Sequence, residues 1–172
     1  MIASNKNATK FFGALILGVF FPTAAFCQHF GYVNPLNAKH TISIQISPAF
    51  FAAGDRAISA EFCSPLEPYV CLSSAEFSFA FPRARQHDVL KWEYKGHTYN
   101  LIGQEKLRVF GSTIKVWVVE SIQGEQKIRY SYSDRQGLLA FSIQLNDAGS
   151  TFLSMGKVGF GHQRNPVLPS AK

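Results

Sequence analysis

Apolar and polar residues alternate along most of this chain with a period of two, the mark of half-buried β-strands. Ile42, Ile44 and Ile46 interleave with Ser43, Gln45 and Ser47. Ile58, Ala60 and Phe62 interleave with Ser59 and Glu61, and Phe77, Phe79 and Phe81 with Ser78 and Ala80. No stretch after residue 40 carries a helical stripe; residues 50–57 have room for one helical turn, which Gly54 limits.

The second half can be read down to strand pairing. A two-residue turn at Lys95-Gly96 sets Tyr94 against His97, Trp92 against Tyr99 and Leu90 against Leu101, leaving Lys91, Glu93, Thr98 and Asn100 on the other face. A turn at Gly124-Glu125 opposes Trp117 to Tyr132, Val119 to Tyr130 and Glu120 to Arg129. A four-residue loop, Asp134–Gly137, opposes Tyr132 to Leu139, Tyr130 to Phe141 and Ile128 to Ile143. Residues 114–122 are apolar on both faces, which predicts a central strand covered on both sides. Together these hairpins predict one all-β, antiparallel meander domain, a sandwich or a small closed barrel.

The first residues differ in kind. Lys6 and Lys10 precede eleven uncharged residues, Phe11–Phe21, and then Pro22-Thr-Ala-Ala-Phe-Cys27. A basic start, an apolar run and small residues are the order of a cleavable signal peptide. The run is also too short for a membrane span, which takes about 20 residues. Cleavage after Cys27 leaves Gln28 first; cleavage after Ala25 leaves Phe26 first. An acylated Cys27 is disfavoured by Phe26 before it, where lipoprotein signals carry a small residue. The chain therefore divides into a signal peptide, 1–27, and one β domain, 28–172, with its core at about 40–155. The two ends, 28–39 and 161–172, read as loose. No transmembrane span is expected in the mature chain.

Export changes the meaning of the cysteines and of the charge. Cleavage at Gln28 leaves Cys63 and Cys71, bracketing Ser-Pro-Leu-Glu-Pro-Tyr-Val, to pair in an oxidising compartment, periplasmic or extracellular. Closing so short a loop stabilises by about 2–3 kcal/mol in the chain-entropy view. No metal is expected there, because two thiolates lack further ligands at suitable spacing. The full-chain charge of +6 falls to +4 once Lys6 and Lys10 leave. The basic residues Arg83, Arg85, Lys91 and Lys95 suit a solvated edge, and an exported chain argues against nucleic acid as a partner.

No catalytic signature emerges. Gly-x-Ser-x-Gly is absent, Gly156-Lys157 lacks a phosphate loop, and Gly159-Phe-Gly161 lacks the third glycine of a dinucleotide turn, reading instead as a flexible run-out. His29, His40, His87, His97 and His162 form no metal pair. His87-Asp88 can act together only in a loop, because strand neighbours point to opposite faces. Glu93, Glu105 and Glu120 show no paired spacing, and Arg129 is the expected partner of Glu120. No cofactor is expected. Aromatic residues are the enriched class, 14% of the chain, and core packing claims most of them. The remainder suggests a cup walled by Trp92, Tyr94, His97 and Tyr99.

These features predict a non-enzymatic envelope protein that binds a protein, glycan or lipid component through a sheet face or that cup. The alternatives are a small envelope hydrolase working through His87, or a carrier of lipid or another hydrophobic ligand inside a closed barrel. In size and texture the chain resembles small exported one-disulfide β domains such as lysozyme inhibitors, immunity proteins and carrier modules.

Overall fold

A computed structural model describes residues 28–83 and 89–162; the signal-peptide stretch and His87-Asp88 lie outside them. Twelve strands follow one another: β1 (His29–Asn34), β2 (Asn37–Gln45), β3 (Phe50–Ala53), β4 (Arg56–Phe62), β5 (Tyr69–Ser74), β6 (Ser78–Pro82), β7 (Lys91–Tyr94), β8 (His97–Val109), β9 (Ser112–Gln123), β10 (Gln126–Ser133), β11 (Gly137–Leu145) and β12 (Ala148–Ser154). No helix occurs among the described residues. Each strand pairs antiparallel with its sequence neighbour, except across β6 and β7. β1 pairs with β12, Tyr32 opposite Ser154, so β6 and β7 are the edges of one sheet rolled nearly into a barrel.

Most hairpin registers agree with the alternation. Trp92 opposes Tyr99 and Tyr94 opposes His97. Trp117 opposes Tyr132, Val119 opposes Tyr130 and Glu120 opposes Arg129. Tyr130 opposes Phe141 and Ile128 opposes Ile143. Strand β9 is covered on both sides, with Val116, Val118, Val119 and Ser121 all at 1% exposure or less.

Four expectations are corrected. Tyr132 opposes Leu138, not Leu139, because the loop is one residue shorter and a bulge at Leu139 restores the register beyond it. Leu139 then joins Val109 and Val116 in a second small core. Residues 50–57 form the β3–β4 hairpin, turning at Gly54 with φ +58°. Leu90 keeps a backbone bond, its carbonyl accepting from Leu101 N–H at 2.8 Å, but its side chain is exposed rather than on the aromatic face. Residues 28–39 are no loose end: β1 sits between β2 and β12, with Tyr32 fully buried.

The core explains why the edge strand β6 is tolerated. Residues 78–81 are all buried, so this edge runs through the interior. Phe77, Phe79 and Phe81 pack toward Tyr130, Tyr132 and Phe141, with centroids as close as 4.2 Å for Phe81–Tyr132. On the other face Ser78 Oγ meets the Tyr99 hydroxyl at 2.9 Å. An unpaired strand edge in an apolar interior would strand its backbone polar groups. Here side chains meet them. The Gln123 carboxamide accepts from Ser78 N–H at 3.0 Å and donates to Ser78 O at 2.6 Å, as a neighbouring strand would. Tyr130 also donates to Ser78 O, and Trp92 Nε1–H donates to Ala80 O at 3.2 Å. Pro82, at the strand's end, has no N–H to satisfy.

Candidate functional site

The four residues expected to wall a cup divide between core and rim. Trp92 and Tyr99 stack at 5.8 Å and 5° across the β7–β8 pair, exposed by 6% and 0%. Their polar atoms close the β6–β7 seam, and burial pushes the Tyr99 phenol up to about 12. Tyr94 is half-buried beside Tyr69, its hydroxyl 2.9 Å from Cys71 Sγ. That sulfur is bonded to Cys63, so the hydroxyl is the donor. Burial raises the Tyr94 phenol, against the pull of Lys95. His97 lines a different cleft, of 420 Å³, with Ile42, Phe51, Phe77 and Gln123 at the opposite end of the roll from the mouth described next.

The aromatic opening lies where β1 begins, β4 ends and β5 begins. Phe30, Ile46, Phe62, Val70 and Phe160 line a cleft of 510 Å³ beside the Cys63–Cys71 disulfide, whose Cα atoms are 5.1 Å apart. Phe160 contacts Phe62 at 5.4 Å and Phe30 at 6.0 Å, and His162 lies edge-on to Phe30 at 5.8 Å. Gln28, Arg83 and His162 supply the polar rim.

The wall containing Phe160 depends on close backbone approach. A Cβ on Gly159 would lie 1.7 Å from Leu138 O, and Gly161 has φ +76° with Val70 packed where a Cβ would stand. Only glycine fits at both places. Leu138 N–H donates to Phe160 O at 2.9 Å. The buried Tyr32 hydroxyl donates to Leu138 O at 2.9 Å and accepts from Phe160 N–H at 3.0 Å. Tyr132 donates to Gly161 O at 3.0 Å. The supposed flexible run-out at Gly159-Phe-Gly161 is therefore pinned. Residues 163–172, the rest of the expected loose tail, lie outside the described residues.

Arg83 is held at the rim by its Nε–H, which donates to Tyr69 O at 2.9 Å and Glu67 O at 3.1 Å. The other guanidinium N–H groups face no described carboxylate within ion-pair distance. Glu67 lies within 4.8 Å of both disulfide sulfurs. Sulfurs bonded to each other offer no thiolate, so this group does not suit a metal. Several carboxylates elsewhere are spent in ion pairs. Glu120 meets Lys127 at 2.9 Å and Arg129 at 3.7 Å, Glu105 also meets Arg129, and Lys95 lowers the Glu61 carboxyl by a direct hydrogen bond.

Comparison with family models, with curated proteins and with solved structures gives no match. The mouth residues Phe30, Phe160 and His162 escaped the sequence reading because both termini looked loose. The available signal was the pair of glycines around Phe160.

Proposed function

We propose that this protein is an exported, non-enzymatic binding domain of the cell envelope, and that its ligand is an apolar chain with an anionic end group. The apolar part rests among Phe30, Phe62 and Phe160, and the anionic end meets Arg83 at the rim. The observation that carries this reading is the 510 Å³ aromatic mouth with a positioned guanidinium that meets no carboxylate among the described residues. Its volume falls within the range of small-ligand sites, about 300–1,000 Å³. Rings from β6 and β10 meet through the middle of the roll, which favours holding a ligand at the mouth over enclosing it in a central chamber. Apolar side chains inside and charged ones such as Lys127 and Arg129 outside also suit a protein in water better than a membrane barrel. The basic, apolar, small-residue order of 1–27 and the disulfide support export.

The test is titration with cis-parinaric acid, a fluorescent fatty acid. Saturable binding is expected, weakened at least about tenfold by Phe62→Ser, which removes roughly 1.5–3 kcal/mol of apolar burial. Arg83→Gln should weaken it severalfold, and His97→Ala, at the opposite cleft, should leave it unchanged. Absence of saturable binding, or equal loss in the His97 variant, would remove the reading.

A further inference from the structure

The β8–β9 hairpin breaks two local rules at and near its tip. The first concerns the turn. Phe110 and Gly111 have φ of 51° and 72°, a two-residue turn that favours Asn-Gly. A bulky side chain at positive φ is a genuine outlier. Phe110 is not drawn into the core in return: it stays 47% exposed and stacks on no other described ring.

The second breach concerns charge. Lys106 stands directly opposite Lys115, a like-charge cross-strand pair that weakens a sheet. Arg108 lies two residues along on the same face, opposite Thr113. All three basic residues are exposed, and none makes an ion pair with a described carboxylate. The two acids of the hairpin are occupied elsewhere, Glu105 by Arg129 and Glu120 by Lys127 and Arg129. Asp134, which shares a cleft with Lys115, accepts from the Trp117 indole. The opposite face of the hairpin is apolar and settled: Leu107, Val109, Ile114 and Val116 pack with Leu139. The arm is thus anchored by one face while presenting a basic face and an aromatic tip. In the meander this tip lies at the same end of the roll as the aromatic mouth.

We propose that the β8–β9 tip docks on an anionic lipid surface, with Phe110 entering the headgroup region and Lys106, Arg108 and Lys115 meeting lipid phosphates. Basic residues attract such a surface, and an exposed aromatic ring gains burial only if the partner has an apolar layer beneath its charge. That second requirement separates a bilayer from a soluble polyanion. The proposal stands apart from the mouth's ligand, since none of these four residues lines that cleft.

The test is co-sedimentation of the protein purified from cells expressing the full sequence, with phosphatidylcholine vesicles containing or lacking phosphatidylglycerol. Every variant carries the same N-terminal residues, so their contribution cancels. Binding should require phosphatidylglycerol and should weaken about thirtyfold in Lys106→Ala/Lys115→Ala, about fivefold for each cation lost. Phe110→Asn should raise the melting temperature or leave it unchanged, because Asn suits the turn, while weakening vesicle binding. A purely structural Phe110 would show the reverse. Phe110→Trp should add emission that brominated acyl chains quench. The proposal is overturned if binding ignores phosphatidylglycerol, or if it survives both the lysine and the Asn variants. It is also overturned if heparin competes and only the lysine variant loses affinity, which would identify a soluble polyanion.

Discussion

Gln123→Ala tests the idea that a side chain stands in for a missing strand. Ser78 is 1% exposed, so water cannot readily replace the carboxamide. The substitution orphans Ser78 N–H, which loses its 3.0 Å acceptor. A buried donor left unpaired costs about 1–3 kcal/mol. Ser78 O fares better, because the Tyr130 hydroxyl still donates to it. Adding the lost Gln123–Tyr130 bond of 2.8 Å, the expected total is about 2–3 kcal/mol. Tyr130→Phe alone leaves Ser78 O bonded to Gln123 and should cost only about 0.5–1.5 kcal/mol. The double variant leaves Ser78 O with neither donor, adding about 1–3 kcal/mol, but loses the Gln123–Tyr130 bond once where the single variants count it twice. Its cost should therefore exceed either single variant's and reach up to about 2 kcal/mol above their sum. Urea denaturation at neutral pH, followed by circular dichroism with the slope held common, measures all three. A Gln123→Ala cost below about 0.5 kcal/mol would show that the edge of β6 does not depend on this carboxamide.

Other outcomes follow from single atoms. Ser121 Oγ is buried with no hydrogen-bond partner among the described residues, so Ser121→Ala should stabilise the fold by up to about 1 kcal/mol in the same denaturation; a loss of that size would contradict it. Gly159→Ala would press a Cβ into Leu138 O and should cost at least about 1–3 kcal/mol, with faster hydrogen exchange at Phe160 N–H; an unchanged midpoint refutes the close approach. Burial raises the phenols of Tyr99, to about 12, and of Tyr32 and Tyr130. Both states keep these protons below a pH of about 10; above it the unfolded chain ionises first, so stability falls by about 1.4 kcal/mol per pH unit per phenol. Phenolate absorbance should then rise together with loss of circular dichroism, and titration of all six tyrosines near the ordinary value in a folded chain would refute it. The intact mass of exported protein should match a start at Gln28 or Phe26, and full-length or lipid-modified chain would contradict the signal reading.

What the sequence revealed and hid follows from the range of the interactions involved. Trp92–Tyr99, Trp117–Tyr132 and Tyr130–Phe141 were legible because a hairpin pairs near neighbours and a slip of one residue flips every side chain. The bulge at Leu139 was not, since alternation alone does not distinguish a longer loop from a shorter loop plus an extra strand residue. Phe30 and Tyr32 do alternate, but β1 becomes a central strand only by pairing with β12, far away in sequence. The glycines around Phe160 suggested flexibility when their lack of a side chain instead permits tight packing. The cup of Trp92 and Tyr99 went astray for a related reason. A hairpin read alone shows an open aromatic face, and nothing local to residues 90–101 reveals that β6 will fold across it. That strand is held there by contacts such as Gln123–Ser78, 45 residues apart, in which a polar side chain replaces a backbone ladder. Such replacements leave no periodic trace. They decide where the sheet's free edge lies, and so which aromatic residues become core and which remain at the mouth.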